Sequence, residues 1–455
     1  MSLLTSLKSG GGRHGLAATE TRDPIGMAVA ALNRLAQNPL LDRLGVRKQA
    51  EQTVFTLTRG GFKAATQAGR TFARVGRGHT PGARATPVIR PGVFDLTPTE
   101  DEQMLLDVAT EFAAEVLRPA AAEANETCAA PVEVLNAAVE IGLPVLGVPE
   151  SLGGVYQERS AIAGVLVAEA LAHGDLGLAV ATLGSGSVAT ALGLWGSEQQ
   201  QQTYLPAFTE AAAPSAALAL NEPAVLFDVL APTATARRVG DTLVLSGVKS
   251  LVASGAGAEV YVVGVMLDAA PILVLVESAT AGLSIEASPA MGVRAAGLTT
   301  LTMEEAEVPV ENILGAIDGS TYRDCVRLSR LAWCALAVGT AQAVLDYVTP
   351  YVKTREAFGE PIAHRQAVAF TVADMAIEVQ AMRLLTWKAA SRVAQGIDAT
   401  REIALAHHLC ADKGMRIGLD GVQLLGGHGF VKEHPVERWY RDLRAIGVME
   451  GTVLI

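Results

Sequence analysis

VQLLGGHGFVKEHPVERWYRDLRAIGVMEGT spans residues 422–452, near the end of a 455-residue chain. It opens as the apolar tail of a helix, breaks at Gly426 and Gly427, and resumes with charged residues at close spacing. Its last six residues, GVMEGT, carry one carboxylate, Glu450, among uncharged neighbours. A lone acid is most often a solvated surface group. A carboxylate in an apolar, glycine-flanked setting can instead be made a stronger base by excluding water from it.

Working back along the chain, helical spacing dominates from about residue 320. Val368, Val372, Met375, Val379 and Met382 step by four, three, four and three, which is a bundle seam. The same stretch is apolar on its other faces, so that helix is expected to be surrounded. A second helix is expected through REIALAHHLCADKGMRIGLDGVQLL, 401–425. His407 and His408 are adjacent there and cannot share a helix face, which argues against a metal site.

Before this lies a different texture. RRVGDTLVLSGVKSLVASG (237–255), AEVYVVGVML (258–267), PILVLVE (271–277) and LTTLTMEEAEV (298–308) are short runs rich in Val, Leu and Thr, bounded by Gly, Asp and Pro. They predict the strands and hairpins of a small β domain. Earlier still, LTPTEDEQMLLDVATEFAAEVLRPAA (96–121) predicts a helix capped at Thr97 or Thr99, acidic in its first turn, and ending at Pro119. The uncharged run LGLAVATLGSGSVATALGLWGS (176–197) is long enough to span a bilayer. Its five glycines and its hydroxyls favour buried helices instead.

The chain as a whole is half hydrophobic and only 5% aromatic, with a net charge of −11, which argues against a general nucleic-acid binder. Residues 1–93 are the exception, with 14 Lys and Arg against 4 Asp and Glu, or +10; the remainder carries 22 against 43, or −21. This segment reads as a basic helical extension followed by a Gly-, Pro- and Arg-rich linker, GRGHTPGARATPVIRPG (76–92). It would serve as an arm for a membrane surface or a partner, or as a clamp on its own oligomer. An Arg-rich, acid-poor start also has the look of an organelle transit segment, but no secretory core is visible. Cys128, Cys325, Cys334 and Cys410 lack CxxC spacing and read as reduced thiols of a cytoplasmic protein. There is no Rossmann or P-loop glycine signature.

The order is therefore helices, β domain, helices. The expected domains are the extension (1–93), an N-terminal helical domain (94–215), a middle β domain (216–320) and a C-terminal helical bundle (321–455). This order, with its motifs, resembles the acyl-CoA dehydrogenase family over residues 94–455, about four-fifths of the chain. IGLPVLGVPESLGG (141–154), GSEQQQQTYLP (196–206), LALNEP (218–223) and TREAFGEPIAHRQAV (354–368) are similar to that family's segments in order. The opening stretch is similar to its C-terminal signature throughout. The resemblance implies a mainly α fold: an N-terminal helical domain, a β-barrel-like middle domain and a C-terminal four-helix bundle.

It also implies a reaction and its groups. FAD-dependent α,β-dehydrogenation of an acyl-CoA thioester, in fatty-acid or related catabolism, would use Glu450 as the base for the α-proton. Gly451 would let the backbone approach the ligand. Arg355 matches the arginine that grips the FAD pyrophosphate; Phe358 and Gln366 match further cofactor contacts. Gln423, Gly426 and Gly427 match the loop at the adenosine end, and Thr452 a residue near the pyrophosphate. Asn221 stands where a Thr or Ser is common and would hydrogen-bond the flavin. Arg330 matches an arginine near the substrate's nucleotide end or the active-site wall. An electron-transferring flavoprotein is the implied electron acceptor. A homodimer or homotetramer is implied as well, because neighbouring subunits complete each FAD site.

The pattern breaks in three places. AVLFD (224–228) puts Ala224 and Leu226 where glycines are usual, and Phe227 where a Ser contacts acyl-CoA. KSLVAS (249–254) puts Leu251 and Ala253 where an aromatic and a hydroxyl residue touch the flavin ring. VLI follows Thr452 where the family has a further cofactor-contacting stretch. Two alternatives follow: a flavin-poor structural or regulatory subunit paired with an active homologue, and an oxidase or monooxygenase of the same fold.

Overall fold

In the computed structural model, residues 97–154, 159–224 and 226–450 are described. The basic extension, Gly451 and Thr452 lie outside them. The first helix, α1 (Glu100–Phe112), starts at a capping box. Thr99 N–H donates to Glu102 Oε2 (2.9 Å) and Glu102 N–H to Thr99 Oγ1 (3.2 Å), which satisfies two of the donors a helix start leaves unpaired.

The helix does not end at Pro119, as its sequence predicts. A π turn at Ala113–Leu117 leads directly into α2 (Arg118–Thr127), with Pro119 in the first turn of that segment. Proline lacks an N–H and crowds the preceding turn; a single widened turn absorbs both defects, so the helical path continues.

After α3 (Val132–Glu140) come α4 (Ala161–Gly174) and α5 (Leu176–Trp195), capped by Ser160 and Asp175. The uncharged run of α5 is almost wholly buried against the chain's own residues. The short α6 (Glu198–Tyr204) closes this part.

The strands are β1 (Ala216–Ala219), β2 (Thr235–Val239), β3 (Thr242–Val252), β4 (Val260–Leu267), β5 (Ala270–Glu277), β6 (Leu283–Ala287), β7 (Thr299–Pro309) and β8 (Ile313–Leu314). They form one sheet in the order β6-β7-β3-β2-β4-β5-β8, with β1 also paired to β4, in parallel. Period-two alternation sorts the side chains of β4 and β5 onto two faces. Val260, Val262, Leu273 and Leu275 join one core with Leu192, Phe208 and Tyr322 from the helices. Tyr261, Val263, Ile272, Val274 and Val276 join a second core with Leu245, Leu301 and Met303. With both faces covered, the strands can be nearly continuous runs of apolar residues. β3 loses register with β7 between Lys249 and Val252, where Leu251 has φ 53°.

The chain then forms α7 (Ser320–Thr354), a two-residue hairpin β9 (Glu356–Ala357) and β10 (Glu360–Pro361), α8 (Gln366–Ala394), α9 (Thr400–Leu425) and α10 (Val436–Leu443). α7 crosses α4 so closely that a Cβ at Gly339 would stand 2.0 Å from Glu169 O. Met375, Val379 and Met382 of the expected seam are buried, with Val368 and Val372 packed at its edge. On its other side Phe370, Ile377 and Leu384 are exposed. Among the described residues, none covers this outer face, so the helix is not surrounded by them as expected.

Candidate active site

Three separate pieces of chain converge on Glu450. α10 and a 3-10 turn, Arg444–Gly447, deliver it, with Ile446 and Met449 anchored in the core. His407 of α9 bonds to Ile446 O through Nε2 (3.0 Å) and pins this turn. Burial, with Arg330 adding to it, lowers His407 to about 4, so it is the neutral donor of that bond.

From α7, Arg330 Nη2 reaches Glu450 Oε1 at 2.7 Å. From the segment after β1, Asn221 Oδ1 accepts from Glu450 N–H at 3.3 Å, and Asn221 Nδ2 lies 3.8 Å from Met449 Sδ. Glu450 Oε2 and Arg330 Nε are buried atoms with no hydrogen-bond partner among the described residues. Burial pushes the Glu450 carboxyl up; Arg330 works against this and Asp228 adds to it. The result is a carboxylate with one oxygen anchored by a cation, the other unpartnered, and its basicity raised by exclusion of water.

Next to Asn221 in the chain, Glu222 belongs to an ion pair that sequence reasoning missed. Lys249 Nζ is 2.6 Å from Glu222 Oε1, with the side chains 0% and 1% exposed. Glu222 also accepts from Thr233 N–H (2.8 Å), Thr233 Oγ1 (2.5 Å) and Ala234 N–H (3.0 Å). It therefore fastens both ends of the loop 222–234. Burial alone would raise Glu222, but Lys249 and these donors outweigh it and hold the carboxyl low. The signal was present in the sequence as a charge inside each of two apolar runs, LALNEP and SGVKSLV.

The loop itself departs from expectation in a physical way. Leu226 is 97% exposed at φ 58°, a left-handed conformation that glycine adopts freely and a leucine does not. Phe227 is half-buried and packs against the core that holds Phe208, Leu218 and Tyr322. Leu251 is half-buried and Ala253 buried in the large helical core.

The other candidate residues gather at a second place, the far end of α7. Arg355 caps α7 and is exposed, and its guanidinium has no partner among the described residues. Its carbonyl accepts from Ile362 N–H (2.9 Å), closing the hairpin that carries Phe358. Phe358 is fully exposed at φ 57°, with the Arg365 guanidinium 5.7 Å from its ring centre. Gln366 opens α8 on the surface.

Tyr351, one turn before Arg355, bonds to Leu425 O (3.4 Å) and His428 Nδ1 (2.8 Å), so the Gln423–Gly427 loop lies at the same end. Gly426 has φ 57° and ψ −129°, a conformation open to glycine, and its N–H donates to Gln423 O. A Cβ at Gly427 would meet nothing within 4 Å. Its small size is thus unexplained by the chain's own packing and suits close approach of an outside group. An unpaired arginine fork beside an open glycine loop fits a pyrophosphate and the nucleoside attached to it. No hydrogen bond or ion pair among the described residues joins this group to Glu450.

Comparison with known proteins adds three matches of family models. These are the acyl-CoA dehydrogenase N-terminal domain over residues 99–212, the middle domain over 217–306 and the C-terminal domain over 321–454. The short-chain specific acyl-CoA dehydrogenase of mitochondria from Mus musculus is 32% identical over 362 residues, 78% of this chain and 87% of that protein. Butyryl-CoA dehydrogenase from Megasphaera elsdenii is 28% identical with a TM-score of 0.72, covering 79% of this chain and 96% of that one. A chain in a structure described as the electron transferring flavoprotein of Acidaminococcus fermentans is 30% identical with a TM-score of 0.72, again covering 79% and 96%.

Proposed function

From the premise that this chain belongs to the acyl-CoA dehydrogenase family, we propose that Glu450 is the base that removes the α-proton of an acyl-CoA thioester. The enzyme is an FAD-dependent oxidoreductase of acyl-CoA thioesters. The observation that carries the base assignment is the carboxylate itself, raised by burial, anchored at Oε1 by Arg330 and unpartnered at Oε2. The proton passes from the α-carbon to Oε2, and an α,β double bond forms. FAD, when bound, supplies the acceptor for the hydride that leaves the β-carbon.

Arg330 holds the carboxylate in place and keeps it from being protonated too readily. Negative charge grows on the thioester oxygen as the proton leaves, and donors aimed there lower the barrier. Arg355, Gly426 and Gly427 hold the diphosphate and nucleoside end of FAD, supported by the free guanidinium and the open glycine loop. Phe358, Gln366 and Gln423 flank them, and Gly451 and Thr452 complete the motif. Arg355, Phe358, Gln366, Gln423, Gly426 and Gly427 lie on the surface, and no hydrogen bond or ion pair among the described residues joins them to the Glu450 site. We therefore assign them to the FAD of a second copy, which makes the working enzyme at least a homodimer. An electron-transferring flavoprotein is the proposed reoxidant, and a reducing compartment such as the cytoplasm the proposed location.

The second reading, a flavin-poor subunit, rests on Leu251 and Ala253 at the expected ring surface and on Phe227 packed toward the core. The visible spectrum of the purified protein separates the two readings. A stoichiometric flavin band that bleaches with an acyl-CoA under anaerobic conditions supports the dehydrogenase; a colourless protein that cannot be reconstituted with FAD supports the subunit.

A further inference from the structure

The backbone N–H of Glu450 is engaged by a side chain that could equally release it. Asn221 Oδ1 accepts from it at 3.3 Å, beyond the usual 2.7–3.2 Å for N–H···O. The other end of the amide donates to a thioether sulfur, a weak acceptor, at 3.8 Å. The Asn221 backbone, by contrast, is fixed. Its carbonyl accepts from Ser250 N–H at 2.9 Å, and its neighbour Glu222 is clamped by Lys249. Asn221 is thus a rigidly mounted residue with a loosely held amide, buried where water does not compete for it.

This N–H belongs to the residue whose carboxylate takes the α-proton. The thioester carbonyl is bonded to that α-carbon, so its oxygen can come within reach of the same backbone. An N–H pointing there is a donor placed where charge develops. We propose that the Asn221 amide is an internal stand-in for the substrate carbonyl: it holds the Glu450 N–H until the thioester oxygen displaces it, and this exchange sets the enzyme's affinity for thioesters. The proposal rests on the reading of Glu450 as the base. It assigns Asn221 to positioning the Glu450 N–H rather than to the flavin.

The exchange acts only on carbonyl ligands. A ligand with a carbonyl makes one bond and breaks one, so it gains nothing net from the donor while the amide is there; a ligand without one leaves the amide in place. A neutral hydrogen bond contributes about 1 kcal/mol net, roughly a fivefold change in affinity.

The test uses the FAD-loaded enzyme and two coenzyme A derivatives of equal length, acetyl-CoA and the thioether S-ethyl-CoA. Neither can be dehydrogenated in the proposed way, the first because it has no β-carbon and the second because it has no carbonyl. Calorimetry of Asn221→Ala and Asn221→Ser should show acetyl-CoA binding about five times tighter than in the parent, with S-ethyl-CoA unchanged. Equal shifts for the two ligands, or an unchanged acetyl-CoA affinity with lost FAD, would overturn the proposal. A parent enzyme that binds neither ligand would overturn the acyl-CoA reading first and this proposal with it.

Discussion

Replacing Lys249 by methionine tests how the 222–234 loop is held. The substitution preserves the apolar stem and removes the ammonium. Glu222 then loses its 2.6 Å partner while keeping Thr233 N–H, Thr233 Oγ1 and Ala234 N–H. Removing one partner of a buried ion pair typically costs about 3–5 kcal/mol. Three surviving donors place this case at the lower end, about 3 kcal/mol. A domain of 150–250 residues shifts its melting temperature by about 2–4 °C per kcal/mol, and this chain is larger, so a drop of about 6 °C is expected at neutral pH.

The pH dependence gives the sharper signature. In the parent, Glu222 is held below the ordinary carboxylate range, so its contribution is present above the unfolded value and is lost as pH falls through the folded one. In the variant the cation is gone and burial is opposed only by the three remaining donors, so less of this contribution remains at neutral pH. The gap in melting temperature should therefore narrow steadily as pH is lowered. Melts followed by circular dichroism at several pH values check this. A gap under about 1 °C, or one that stays constant with pH, would refute the argument.

Two further expectations follow from other sites. Arg355→Ala should purify with much less FAD per chain while its melting temperature without cofactor stays close to that of the parent, because the exposed guanidinium has no hydrogen-bond or ion-pair partner among the described residues; unchanged flavin content would remove Arg355 from the cofactor site. Asp442, which accepts from Val293 N–H at 2.7 Å, is pushed up to about 7 by burial, with Asp175 adding to the push. Folded protein therefore takes up a proton between about pH 4 and 7, and stability falls as pH rises through that window. Asp442→Asn keeps the acceptor and removes this loss, so the stability of the variant relative to its parent should rise from pH 4 to 7; a difference independent of pH would refute it.

The sequence carried much of this arrangement because local patterns encode it. Alternation in β4 and β5, the capping box at Thr99 and the four-three spacing from Val368 to Met382 are all readable without knowledge of tertiary contacts. Glu450 stood out by the emptiness of its surroundings, and Arg355, Gly426 and Gly427 by the resemblance of their segments to the family's. What escaped depended on residues far apart in the chain. Lys249 and Glu222 are 27 positions apart, and Arg330 and Glu450 lie 120 apart. No pattern within a window says that Arg330 turns toward the base or that Asn221 occupies its N–H. The path through Pro119 was misread for a different reason: the π turn is a backbone accommodation with no strong sequence mark. Leu226 at φ 58° shows the converse, a glycine-like conformation at a position that holds a leucine.

The central claim is that Glu450 takes the α-proton. The most direct measurement is the rate at which an acyl-CoA bleaches the flavin absorbance of the FAD-loaded protein without oxygen, in the parent and in Glu450→Gln. The account predicts that the parent bleaches, and that the variant keeps its bound flavin and still binds the thioester but does not bleach on the same timescale. Bleaching of Glu450→Gln at the parental rate would contradict it.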